Sequence, residues 1–357
     1  MKKILLCTPS LATGGAEKFA VDIATRLDRE RYEVVFAETR NHVDSGLKEQ
    51  LNSAGVSIAD LSGRTYIEML KRQMNFLKKY KPDVVHANTG SILHIMLACS
   101  LLHVPVRIYT VHNEAKLLYG NNKIRKAIYK VAFSLFRFTP VAICPTVKET
   151  LIHDMGVRES VIRVVNNGVD TKRFHFYKQH SHETLRIITV GTLYWLKNQN
   201  MTINAVCDLR QQGFQIELSL VGDGPDRQKL EDLVKKREAQ DYVHFVGLKT
   251  NVEDYLNEAD IYVSSSKTEG LPLSILEAMG CGLPIIATNA GGTKDIVHNG
   301  KNGILIGTDK IEELKTAIVK LYNEKDLRLA FSLGSQEIVK SWSIQSCVEG
   351  YLKLYEG

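Results

Sequence analysis

Short apolar, β-branched runs alternate with amphipathic stretches along almost the whole chain. In the first half, KILLCT (3–8), YEVVFAE (32–38), DVVHA (83–87), VRIYTV (106–111), TPVAIC (139–144) and VIRVVN (161–166) predict strands. Between them, residues 15–30, 67–80 and 91–103 have helical spacing. TVKETLIHDMG (146–156) predicts a further helix, opened by Thr146 and Glu149 at capping-box spacing. Residues 171–184, TKRFHFYKQHSHET, mix polar and aromatic side chains and break the alternation. It restarts with LRIITVG, IELSLVGDG, VHFVG, IYVSSS and PIIAT, and the chain ends in helical sequence. Repeated strand–helix units predict parallel, doubly wound sheets with helices on both faces. The expected fold class is α/β, with two Rossmann-like doubly wound parallel-sheet domains facing across a cleft. The expected boundaries are 1–170 and 185–340, joined by a linker at 171–184. A C-terminal helix over 341–357 is expected to pack back towards the first domain.

Length and composition agree with this. A chain of 357 residues exceeds one ordinary core, and 44% hydrophobic with 24% charged residues is a globular composition. The six cysteines stand singly, which suits free thiols in a reducing cytoplasm rather than a disulfide framework or zinc site. The start MKKILLCTPS has too short an apolar run for a signal peptide. The stretch SILHIMLACSLLHVPV, interrupted by His94 and His103, is too short to span a bilayer.

Charge changes the picture. Residues 1–170 hold 24 Lys and Arg against 16 Asp and Glu, whereas the remainder holds 22 against 24. The first half therefore suits an anionic partner. Residues 121–138, NNKIRKAIYKVAFSLFRF, interleave cations with apolar residues. Such a helix could lie on an anionic membrane surface, or pack one apolar face on a sheet with its cations solvated. The expected location is cytoplasmic, with peripheral contact to the inner face of the membrane. No nucleic-acid partner is expected.

The candidate chemistry concerns phosphate and sugar. No P-loop occurs, and VGDGPD lacks the third glycine of a dinucleotide fingerprint. There is no Asp-x-Asp pair and no His/Cys cluster at metal-ligand spacing. Protein groups must then neutralise any bound diphosphate. Gly14 and Gly15, between the first strand and first helix, let backbone N–H groups approach a ligand. Lys197 follows the first strand of the second domain. In EGLPLSILEAMG, Pro272 opens a helix whose N–H groups near Leu273 and Ser274 lie at its positive end. Glu269 and Glu277, eight residues apart, would span about 12 Å of helix rise. That is roughly the length of a folded nucleotide sugar, and carboxylates suit hydroxyl donors at both ends.

EGLPLSILE followed by AMGCGLPIIAT, with GGAEK, DVVHAN, TVHN, NNGVDTKRF, VGDGP and AGGTKDIVHNGKNGILI in order, resembles a family-four retaining glycosyltransferase of the GT-B fold over nearly the full length. The resemblance implies a metal-independent, retaining transferase with no cofactor. It would move a hexose-type sugar from a nucleotide diphosphate, with a UDP-sugar the expected donor, to a hydroxyl. The acceptor would be a sugar or lipid-linked saccharide in bacterial surface polysaccharide or glycolipid assembly, bound by the first domain. It further implies that Glu269 faces the donor sugar, Glu277 the ribose, and Gly191 and the backbone from Gly270 and Leu271 to Leu273 and Ser274 the sugar and phosphate. Lys197 would stabilise the departing diphosphate, Gly14 and Gly15 would line the cleft, and Val246 and Gly247 would border the base. His112 would approach the reacting sugar, and His86 and Asp223 are weaker candidates. One position departs from the family: Thr192 stands where an arginine is usual, leaving Arg173 or Lys267 as compensating cations. The alternatives are an epimerase or phosphorylase on the same fold, or a non-catalytic partner in polysaccharide assembly.

Overall fold

The computed structural model describes residues 1–12, 14–40, 46–177 and 183–357. The described chain falls into two compact units, one of residues 1–167 with 345–357, the other of residues 168–344. Residues 178–182 of the expected linker lie outside the described residues. Its earlier part is built into the second unit: Phe174 is buried, and Arg173 bonds Glu253 at 2.7 Å.

The first unit carries a seven-stranded sheet of β1 (Lys2–Thr8), β2 (Tyr32–Glu38), β3 (Ser57–Asp60), β4 (Val84–Asn88), β5 (Val106–Val111), β6 (Thr139–Ala142) and β7 (Arg163–Val164). Their order is β3-β2-β1-β4-β5-β6-β7, every pairing parallel. Ile4, Leu5, Leu6 and Cys7 are all fully buried, because helices cover both faces of such a sheet. The C-terminal helix Ile344–Glu356 supplies Tyr351 and Tyr355 to the same core, and Lys2 donates from Nζ to the Tyr355 carbonyl at 2.6 Å.

The second unit carries β8 (Leu185–Val190), β9 (Ile216–Val221), β10 (Val243–Gly247), β11 (Ile261–Ser264), β12 (Ile285–Thr288) and β13 (Gly303–Ile306). Their order is β10-β9-β8-β11-β12-β13, again all parallel. In each sheet the strand order reverses beside the first strand, between β1 and β4 and between β8 and β11. Ligands of open α/β sheets bind beyond the carboxyl ends of the strands at such a point.

Four local expectations are corrected. The four-residue edge strands β3, SIAD, and β13, GILI, are added to the expected strands, and VIRVVN contracts to the two exposed residues of β7. The helix Pro145–Thr150 starts one residue early, placing Thr146 inside it. Pro145 takes the first turn, where its missing N–H costs nothing. Finally, Glu269 is not helical, because the helix runs only Leu273–Gly280. The two glutamates are therefore separated by a loop and one helical turn, not by eight residues of helix rise.

Candidate functional site

In the second unit, the loops after β8 and β11 are stitched together at the switch point. Lys267 N–H donates to the Leu196 carbonyl at 2.7 Å, and Ser265 Oγ donates to the Asn198 carbonyl at 2.8 Å. This brings Lys197 against Glu269, Nζ to Oε1, at 2.6 Å. Beyond Glu269, Gly270 accepts from Gly292 N–H at 2.9 Å, and Gly291, at φ +53°, lies against the Glu269 backbone with no room for a Cβ. The loop bearing Glu269 is thereby held from both sides.

The helix Leu273–Gly280 buries Ile275, Leu276, Ala278, Met279 and Gly280. Its remaining residues, Leu273, Ser274 and Glu277, lie on the less buried side, Glu277 being three and four positions from the other two, the spacings that share a helix face. Leu271 and Gly270 are buried behind it. Tyr262, fully inside the sheet, donates to Ser274 Oγ at 2.8 Å and so ties the helix start to β11. Burial pushes its phenol well above the ordinary range, so it stays a neutral donor.

A third loop joins this cluster. Gly222 N–H donates to the Gly247 carbonyl at 2.9 Å, and the Gly222 α-carbon packs on the Gly191 carbonyl so closely that no side chain fits. Gly191 in turn lies beside the Lys197 side chain, 3.8 Å from where its own Cβ would stand to Lys197 Cε. Gly191, Lys197, Glu269, Gly270, Leu273, Ser274 and Gly247, with Val246 beside it, thus cluster at one sheet edge. Asp223 does not cap the next helix, whose N-cap is Asp226; it holds Arg227 at 3.2 Å instead. Both cations considered in place of an arginine at 192 are engaged elsewhere, Arg173 with Glu253 and Lys267 with Asp309 at 3.0 Å.

In the first unit, Gly14 is the N-cap of the helix Gly15–Arg26. A Cβ on Gly14 would run into the Glu17 carboxylate, whereas one on Gly15 would meet nothing within 4 Å. Glu17 lies in the first turn, at the very helix end expected to receive a phosphate, and burial raises its carboxyl pKa, which favours the neutral form there. His112 follows β5, bonds Asn88 Oδ1 through Nε2 at 3.0 Å, and meets the Phe19 ring edge-on at 5.1 Å. One layer below, His86 is sealed between Tyr355 Oη and Thr110 Oγ1, both at 2.6 Å. Burial lowers the pKa of both histidines to about 3, so both rings are neutral. With both nitrogens occupied, His86 is a structural residue.

Tyr262, Gly291, Glu17 and Asn88 were not singled out in sequence. Each lies in a stretch quoted above, Asn88 in DVVHAN, Glu17 in GGAEK, Tyr262 in IYVSSS and Gly291 in the AGG run, but nothing local marked the residue itself. Two cavities lie away from all these residues. One, of about 420 Å³, is lined by Lys81, Asp83 and Val104, at the amino ends of β4 and β5; the other, of about 560 Å³, lies under β13 against Phe331. A cavity at the amino ends is at the wrong edge for a ligand of this sheet. Among the described residues no group of three or more His, Cys, Asp or Glu could hold a metal, and no helix is long and apolar enough to cross a membrane.

Residues 13–173 match the Glycosyltransferase Family 4 model, and residues 170–337 match Glycosyl transferases group 1. An uncharacterized glycosyltransferase of Haemophilus influenzae is 25% identical, with 98% of each chain covered. The alpha-monoglucosyldiacylglycerol synthase of Acholeplasma laidlawii is 24% identical, with 83% of this chain and 81% of that protein covered. Among solved structures, Anabaena HepE in complex with UDP-glucose superposes with a TM-score of 0.87 at 18% identity, over the whole of both chains. With two consecutive models spanning the parallel-sheet units, the chain belongs to the family-four glycosyltransferases of the GT-B fold.

Proposed function

We propose that this glycosyltransferase moves a hexose-type sugar from a nucleotide diphosphate, a UDP-sugar, to a hydroxyl with retention of configuration and without a metal. The observation that carries the proposal is the Lys197–Glu269 pair beside the start of the helix Leu273–Gly280. A diphosphate laid across that helix start meets unpaired N–H groups and the positive end of the dipole. Lys197 stands close enough to share its charge with the departing phosphate, which stabilises the bond-breaking transition state. Glu269, released in part from Lys197, accepts from sugar hydroxyls, and Glu277 on the open helix face accepts from the ribose. The neighbour HepE, crystallised with UDP-glucose, favours this donor class.

The test is a panel of nucleotides and nucleotide sugars, read first by thermal shift and then by product formation with and without chelator. A ligand that binds only the native state raises its stability. Glu277→Ala should raise the donor KM at least tenfold; unchanged donor kinetics would remove the assignment. Loss of activity on chelation, restored by divalent cation, would overturn the metal-free reading.

The acceptor is proposed to be lipid-linked and reached from an anionic membrane surface. The helix Lys123–Ser134 buries Tyr129, Ala132 and Phe133 but exposes Ile124, Ile128, Val131 and, just beyond it, Leu135. Those four are spaced four, three and four residues apart, a single stripe on the outward face. Ile124 is 75% exposed and Leu135 69%, with Lys123, Arg125 and Lys130 exposed around them. Apolar side chains entering the acyl boundary with cations at headgroup level describe an interfacial helix. The diacylglycerol glycolipid synthase among the relatives supports a lipid acceptor. Vesicles containing anionic lipid should retain the protein at low salt, and Ile124→Glu with Leu135→Glu should release it. No retention by such vesicles would end this part of the proposal.

A further inference from the structure

Asn88 closes β4, and His112 directly follows β5, the neighbouring strand. The Asn88 side chain is fully buried, and its Oδ1 lies 3.0 Å from His112 Nε2. An amide oxygen can only accept, so the ring nitrogen facing it carries the proton. The ring is neutral, being buried with only 8% of its surface open. A neutral imidazole protonated at Nε2 keeps its lone pair at Nδ1. Nδ1 makes no hydrogen bond to any described residue, and it is not among the sealed polar atoms. Phe19, edge-on at 5.1 Å, restricts rotation of the ring.

The Asn88 amide nitrogen, by contrast, is sealed and has no partner among the described residues. An unpaired buried donor costs stability that an apolar side chain of similar size would avoid. Retaining it beside a candidate site residue points to a task for the oxygen on the same side chain.

We propose that Asn88 is a positioning residue that fixes His112 as the neutral, Nε2-protonated tautomer, so that Nδ1 is presented as a hydrogen-bond acceptor to a substrate hydroxyl. Only the identity of that hydroxyl, on a sugar, rests on the transfer reading above. With Nε2 committed to Asn88, the ring accepts at Nδ1 and cannot donate there. His112 therefore discriminates in favour of a hydroxyl able to donate at that place.

The tautomer is measured directly from ring nitrogen shifts of 15N-histidine-labelled protein, with His112→Gln assigning the signals. The expected result is the Nε2–H form, unchanged between about pH 5 and 8. In Asn88→Leu the tautomer should become mixed, and kcat should fall roughly tenfold or more while the donor KM stays within about twofold. Asn88→Asp, which keeps an acceptor at the same place, should restore the tautomer and much of the rate. An Nδ1–H ring in the unaltered protein, or an unchanged tautomer in Asn88→Leu, would overturn the proposal. A chain that turns over no nucleotide sugar would refute the transfer reading, while the nitrogen shifts still decide the tautomer.

Discussion

Lys197 Nζ lies 2.6 Å from Glu269 Oε1, joining a cation on the loop after β8 to a carboxylate on the loop after β11. The pair is only partly solvated, with the lysine side chain 31% exposed and the glutamate 11%. Each group holds the other where a ligand would meet both. Replacing Lys197 by Met removes the charge while keeping the stem. The expected result is a loss of about 10²–10³ in kcat with a native melting profile. Steady-state kinetics with any accepted donor checks this, and a kcat within twofold of the parent would remove Lys197 from the reaction.

Gly291 is the backstop of the same loop. Its φ of +53° disfavours any side chain, and a Cβ there would overlap the Glu269 backbone. Gly291→Ala should therefore destabilise the protein by roughly 1–3 kcal/mol and weaken nucleotide-sugar binding, because the Glu269 loop must move. Gly15→Ala, where a Cβ meets nothing within 4 Å, should leave the melting temperature nearly unchanged. Equal melting temperatures for both variants would contradict the packing described.

Tyr355 closes the His86 network from the C-terminal helix, its hydroxyl 2.6 Å from His86 Nδ1. Tyr355→Phe leaves that ring nitrogen buried without a partner, a cost of about 1–3 kcal/mol. Denaturant unfolding should show the loss as a lower midpoint with an unchanged slope. Because His86 lies below Asn88 and His112 on the same strand pair, activity per folded molecule should change far less than stability.

The two neutral histidines also set a pH dependence. His86 and His112 titrate near about 3 in the folded chain against an ordinary value of 6.5. Between those values the unfolded chain binds more protons than the folded one, so stability rises with pH. It is lost progressively as pH falls from about 6.5 towards 3 and is level above that window. At pH 5.5, calorimetry in buffers of different ionisation enthalpy should report an uptake of between one and two protons on unfolding. Uptake below half a proton would show that these rings are not held neutral.

The strands of both sheets nearest the switch points were legible because central parallel strands are buried on both faces and read as continuous apolar runs, as KILLCT does for β1. β3 and β13 were not, since each is only four residues long, too short for a run to stand out from the loops around it. For the site, the residue types were legible and their relations were not. The glutamate pair suggested a helical ruler, but Pro272 delays the helix to Leu273 and turns the first half of that span into a loop.

The sequence by itself determined the layered α/β architecture and the family, because periodicity and ordered motifs are local properties of the chain. It also determined which residue types are available to phosphate and sugar. Only the tertiary structure decided that Lys197 meets Glu269 across 72 residues, that Arg173 and Lys267 are committed to other carboxylates, and that His86 is sealed while His112 keeps one nitrogen open. Those outcomes depend on which loops converge beyond the strand ends and on which polar atoms lose water there. No local pattern encodes either, since both arise only when distant segments pack.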